Sequence, residues 1–188
     1  MLRLIDQGMP TWDINEVHDT WLRASPAEAY SAARAVTVGE IRLLRPLMAV
    51  RLLPAVILRR PGIHDDSATP VLDAMMASGF SLLGERPPEE MALGVVGQFW
   101  KLSAQSSLRP VAGVRELAAF AEPGYARSAM DFRFEAEGPG TRITTETRIA
   151  GTDEAASTAF RRYWRVIGTG SALIRISWLN AIRRRVDG

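Results

Sequence analysis

Two stretches in the last third of the chain alternate between apolar and polar residues with a period of two. In "YARSAMDFRFEAE", Ala126, Ser128, Met130, Phe132 and Phe134 fall on one side, and Arg127, Asp131, Arg133 and Glu135 on the other. After the turn "GPG", "TRITTETRIAG" sets Ile143, Thr145, Thr147 and Ile149 against Arg142, Thr144, Glu146 and Arg148. Such alternation predicts an antiparallel strand pair with one face on a core and one in water. The period then changes. From about residue 153 to 186, Phe160, Trp164, Ile167, Ser171, Ile174, Trp178 and Ala181 recur at spacings of four and three, which is one face of a helix. The phase runs unbroken across Gly168-Thr169-Gly170, so one long helix with a soft spot is expected rather than two. Asp153 and Glu154 at its start and Arg183–Arg185 at its end suit the helix dipole.

The rest of the chain is less regular. Residues 12–24, "WDINEVHDTWLRA", carry Val, Thr and Trp without helical spacing and read as a strand. Ser25-Pro26-Ala27-Glu28 is a capping box: the Ser25 hydroxyl serves the third helical amide, Pro26 fills the first position and Glu28 reaches back. The helix "PAEAYSAARAV" follows. Residues 40–60 are apolar and arginine-rich, and Pro46 and Pro54 break any single long helix there. "PGIHDDSATP" reads as a loop and "VLDAMMAS" as a short helical turn. "GFSLLGE", "MALGVVGQFW" and "GVRELAAFA" read as further strands, six in all with the first and the last two. No internal repeat or low-complexity linker divides residues 1–188, so one domain is expected.

Composition narrows the chemistry. The chain has no cysteine, which excludes disulfides, thiolate metal sites and a cysteine nucleophile, and suits a cytoplasmic setting. No stretch reaches the roughly 18–20 uninterrupted apolar residues of a membrane span. Net charge is only +2, and of the 23 basic residues Lys101 alone is lysine. No basic face interleaved with aromatics and no nucleic-acid motif accompanies the arginines, so no nucleic-acid partner is expected. The five arginines of residues 41–60, without an acid among them, fit either a helical flap over the open end of the sheet or a weak contact with an anionic membrane surface. The flap is the expectation.

The order strand, capped Pro-containing helix, second helical region, antiparallel meander and long C-terminal helix resembles the START-like (SRPBCC) superfamily of polyketide cyclases and lipid-transfer domains. Ser25-Pro26-Ala27-Glu28-Ala29-Tyr30 carries the local likeness, with Ala29 and Tyr30 standing where Val and Trp or Phe are usual. The run "RRYWRVIGTGSALIRISWLNAIRRR" resembles uncharacterised bacterial members. The resemblance implies an α+β helix-grip fold, with a curved antiparallel sheet of six or seven strands wrapped around the C-terminal helix. It also implies a cavity between them for a small apolar ligand such as a lipid or polyketide; no cofactor is expected. Thr20, Phe99, Trp100, Met130, Phe132, Thr145, Thr147, Phe160, Trp164 and Ile167 would line that cavity.

In such folds the strand residue four before the proline is apolar and inward. That residue is Leu22, which makes Thr20, His18 and Glu16 inward too. An inward imidazole suits proton transfer near neutral pH, with Glu16, or Glu116 on its own strand, to orient it. The plainer reading is a histidine hydrogen-bonded in the core, and His18 is expected to face inward and catalyse nothing. His64-Asp65-Asp66 is the other polar cluster, and adjacent residues in a Gly/Pro loop do not by themselves converge on a metal. Three functions remain open: a binder of an apolar ligand, a cyclase-type enzyme using His18, and an interaction scaffold whose core is filled.

Overall fold

Ser25 caps the helix that follows the first strand. Its hydroxyl accepts from the Glu28 amide at 3.3 Å, while the Glu28 carboxylate accepts from the Ser25 amide at 2.8 Å. The structure, a computed structural model, describes residues 1–42, 67–101 and 107–187. In chain order these form α1 (Leu4–Gly8), β1 (Ile14–Leu22), α2 (Pro26–Ala35), a 3₁₀ turn at Val38–Glu40, α3 (Val71–Ala77), β2 (Ser81–Arg86) and β3 (Glu90–Gly97). They continue with α4 (Val114–Ala119), β4 (Ala126–Glu137), β5 (Gly140–Gly151) and α5 (Glu154–Asp187). The strands make one antiparallel sheet in the order β1-β5-β4-β3-β2.

The alternation of β4 and β5 translates directly into register. Met130 lies opposite Thr147, Phe132 opposite Thr145 and Phe134 opposite Ile143, all on the inner face. Their hairpin turns through Gly138, whose φ of +58° is the left-handed conformation glycine adopts freely. At Gly140 a Cβ would stand 2.1 Å from the Leu22 carbonyl oxygen, so only glycine lets the start of β5 pair with the end of β1 there. α5 runs without interruption through Gly168-Thr169-Gly170 and lies across the inner face against β1, β4, β5 and α2. The main core forms there, from Leu22, Ala29, Tyr30, Met91, Leu93, Phe132, Phe134, Ile143, Trp178 and Ile182. A five-stranded antiparallel sheet with a long C-terminal helix on one face is broadly a helix-grip arrangement.

Three expectations are corrected. The sheet has five strands among the described residues, not six or seven, because "GVRELAAFA" holds the helix α4 rather than a strand. Glu116 sits on that helix, exposed, and its carboxylate accepts from the Ala112 amide, so it is not the partner of His18. Over β3, β4 and β5 the outer face of the sheet is not a wet one, although the outward residues of β1 are exposed. α1 and α4 cover it, and Ile5, Met9 and Leu117, each 0% exposed, meet Ala92, Val96, Ala129 and Ala150 in a second core. Around that core the polar outward residues of β4 and β5 are buried: Asp131, Thr144, Glu146 and Arg148 are all under 9% exposed. The flap expected over residues 41–60 lies outside the described residues except for Ile41 and Arg42, as does His64-Asp65-Asp66. No helix among the described residues is long and apolar enough to cross a membrane.

Candidate ligand-binding site

α5 is clamped at both ends. At its start, Asp153 accepts from the Ala156 amide at 2.7 Å and from the Gly124 amide at 2.6 Å. Asp13 holds the same end to the sheet, accepting from the Gly151 amide at 2.9 Å and the Ser157 hydroxyl at 2.6 Å. At the other end Arg185 grips the Glu40 carboxylate at 2.8 and 2.9 Å, and Arg183 donates to the Thr20 hydroxyl. Ile167, Gly168, Gly170, Ser171, Ile174 and Arg175 are only half-buried, although they face or flank the sheet.

The expected lining residues divide along the helix. Phe160 stacks on Trp164, with ring centroids 5.8 Å apart, and takes Phe99 and Trp100 edge-on at 5.9 and 6.4 Å. These four form a satellite cluster at the start of α5, with Phe99 and Trp100 in the turn after β3 rather than in the strand. Met130 and Phe132 belong to the main core further along, where Phe132 meets Trp178 edge-on at 4.8 Å. Ile167 lies between the two groups, half-buried. Thr145 and Thr147 are buried on the inner face of β5, and Thr20 is buried beneath Arg183.

β1 has the inward parity expected of it. Glu16 and His18 are half-buried and Thr20 and Leu22 buried, whereas Asn15, Val17, Asp19 and Trp21 are exposed. His18 Nε2 lies 2.9 Å from Glu16 Oε1, so the imidazole has an orienting carboxylate on its own strand. Register then places His18 beside Thr145, and Thr145 beside Phe132, in one row across three strands. Trp178 sits over Phe132 at the end of that row.

Several polar atoms here are buried and unsatisfied. Glu16 Oε2, Thr145 Oγ1 and Trp178 Nε1 have no hydrogen-bond partner among the described residues. Buried polar atoms are paired in the great majority of cases, and each exception calls for a cause. Arg175 completes the group. Its guanidinium stands 5.7 Å from the centre of the Trp178 ring and forms no hydrogen bond or salt bridge among the described residues. Burial pushes its pKa down to about 10, against the pull of the Glu16 and Asp131 carboxylates, so it stays cationic at neutral pH. The residues expected from sequence do not include Arg175. A signal for it exists, because Trp164, Gly168, Ser171, Arg175, Trp178 and Ile182 also recur at spacings of four and three, but the apolar stripe runs through Ile174 instead.

An open cleft of about 380 Å³ between β1 and α5 reaches His18 and Thr20 from outside, with Ile176, Leu179 and Arg183 on the helix side. A larger open depression of about 690 Å³ lies over the first turns of α5, lined by Asp153, Glu154 and Arg162; none of the buried unpaired atoms faces it. No group of three or more histidine, aspartate or glutamate side chains suited to a metal occurs among the described residues.

No protein-family model matches the chain, and no curated protein sequence matches it. Among solved structures, TTHA0849 from Thermus thermophilus aligns at 12% identity and a TM-score of 0.34, covering 92% of this chain and 97% of that one. CalU16 from Micromonospora echinospora aligns at 13% identity and a TM-score of 0.32, over 92% of this chain and 83% of its own. Ara h 8.0201 aligns at 10% identity and a TM-score of 0.32, over 87% and 97%.

Proposed function

We propose that this protein binds a small, largely apolar ligand between the inner face of the sheet and the middle of α5. The observation that carries the reading is the set of unpaired buried atoms of Glu16, Thr145 and Trp178 within an otherwise apolar surround of Met130, Phe132 and Ile174. Leaving a buried polar atom without a partner costs about 1–3 kcal/mol. A ligand bound there would supply the partners. Burial of the ligand's apolar surface, at roughly 25 cal/mol per Å², would drive binding, and the polar atoms would orient it. The START-like resemblance of the Ser25–Tyr30 motif agrees with this reading, in which residues 1–188 form one binding domain. The satellite cluster of Phe99, Trp100, Phe160 and Trp164 would form its apolar end.

An apolar fluorescent dye should bind the purified protein saturably and in 1:1 ratio. Trp164→Ala, which removes a half-buried ring stacked on Phe160, should change that affinity several-fold while the fold persists by circular dichroism. A wild type that takes up no dye, paired with a variant that simply unfolds, would mean a filled core and an interaction scaffold.

The 2.9 Å contact between His18 and Glu16 favours a second reading, a cyclase-type enzyme with His18 as the proton-transfer group. His18→Gln then abolishes turnover of a polyketide-like substrate and leaves its affinity nearly intact. In a pure binder the same change alters affinity or nothing at all.

A further inference from the structure

We propose that strand β1 is an interaction edge whose occupant is a second copy of this chain, paired antiparallel to it about a two-fold axis at Val17. The inference does not depend on the ligand. The two edges of the sheet are built differently. β2 has six residues and a bulge between Leu82 and Gly84, and Leu4 of α1 packs over it at Gly84. Shortness, a bulge and a cover are means by which a sheet edge is kept from pairing with another chain. β1 has none of these three. Its nine residues pair with β5 in unbroken register, and on the other side their backbone has no partner among the described residues. The open cleft against α5 runs along this edge, because residues 17–20, from both faces of the strand, line it in succession.

Apolar side chains flank the edge on either side. Val17, 50% exposed, and Trp21 stand on the outer face. Ile176 lines the cleft from α5, and Leu173 lies exposed one turn before it. The order of residues along β1 selects a second copy as the occupant. In antiparallel pairing about Val17, that residue meets its own copy and Asn15 meets Asp19. Glu16 meets His18 of the second copy, the residue type it already contacts at 2.9 Å within its own strand. No acid faces an acid. Centring the axis on His18 sets Val17 against Asp19, and centring it on Asp19 sets like charges directly opposite, which is destabilising. The strand is therefore complementary to itself in one register, as an isologous contact requires. The axis leaves both α5 helices on one side of the joined sheet, so that Ile176 and Leu173 of the two copies cover the joint together.

Sedimentation velocity of the full chain over a concentration series should show a monomer–dimer equilibrium. Val17→Lys sets two ammonium groups face to face at the axis, and Ile176→Glu does the same with carboxylates beside it. Each should weaken the dimer about tenfold or more. Both positions are exposed, so circular dichroism should stay unchanged. The chain has no cysteine, which makes single-cysteine cross-linking clean. Val17→Cys should oxidise to a covalent dimer, because directly opposite Cβ atoms lie about 5 Å apart. Asp19→Cys should not, since its two copies stand about 13 Å apart along the strands. A protein that is monomeric at every concentration would overturn the inference, whether or not it takes up an extended peptide at the same edge. A dimer indifferent to both charge substitutions, or one cross-linked through Asp19→Cys and not through Val17→Cys, would overturn it as well.

Discussion

Replacing Arg148 with alanine will cost the folded protein about 3–5 kcal/mol, the scale for breaking a buried ion pair by removing one partner. Arg148 is 2% exposed, and each of its three guanidinium nitrogens has a partner on the outer face. Its Nε donates to Glu146 at 2.7 Å, one terminal nitrogen reaches the Met9 carbonyl at 2.9 Å, and the other lies 2.8 Å from Asp6. The flat of the guanidinium covers the Trp12 ring, 4.0 Å from its centre. One side chain thus ties α1 and the segment that follows it to strand β5. Burial alone would raise the Glu146 carboxyl, yet the Arg148 and Arg3 contacts outweigh it and hold its pKa below the ordinary value. Without Arg148, Glu146 and Asp6 are left to Arg3 alone, at 2.9 and 2.7 Å, and the Met9 carbonyl loses its partner. Urea denaturation measures the loss, and limited proteolysis should show residues 1–12 released before the sheet unfolds. Arg148→Lys should recover part of the stability, since a point charge cannot serve three partners in a fixed fork. A loss below about 1 kcal/mol, the scale of surface ion pairs, would mean that the network is solvated and the outer face open after all.

The second large effect concerns pH. Asp131 is 0% exposed on the same outer face; one oxygen accepts from the Glu146 amide at 3.0 Å, and the other has no hydrogen bond, its nearest charge being Arg133 at 3.6 Å. Burial pushes its carboxyl from 3.8 up to about 7, and the lowering pull of Arg133 and the Glu146 amide does not compensate. The folded protein therefore keeps a proton that the unfolded chain has already lost. The stabilisation this brings is complete below the unfolded value near 3.8 and disappears as pH rises through about 7. Over pH 5 to 8 the loss amounts to about 2–3 kcal/mol. Asp6 and Glu146 have lowered pKa values, and their contributions fade only as pH falls below the ordinary carboxylate range, outside this window. Chemical denaturation at stepped pH tests the slope. Asp131→Asn, which keeps an acceptor for the Glu146 amide and cannot ionise, isolates this group from every other titration in the window. An unchanged slope in that variant, or a wild type that gains stability toward pH 8, would refute the assignment.

Periodicity along the chain was enough for the hairpin of β4 and β5, the unbroken α5, and the capped start of α2. Each depends on contacts between residues close in sequence: alternation within a strand, the three-four spacing of a helix face, and two hydrogen bonds between Ser25 and Glu28. The inward parity of Glu16, His18 and Thr20 follows from the same local rule once Leu22 is placed. What covers a face is not a local property. Asp131, Glu146 and Arg148 alternate as solvent-facing residues do, and their burial exists only because Ile5 and Met9 come from the far end of the chain to lie over them. α1 has five residues and α4 six, too few to display a helical period, so neither could be distinguished from loop or strand beforehand. Arg175 belongs with these. Its charge marks it for water in any reading of hydropathy, and only the packing of Trp178 and Ile182 on the sheet turns its side of α5 inward toward Glu16. The sequence alone determined the long elements β1, α2, β4, β5 and α5, because their hydrogen bonds and faces are set by near neighbours. Tertiary structure alone decided which polar groups are taken out of water, because that depends on segments more than a hundred residues apart meeting over the same strand.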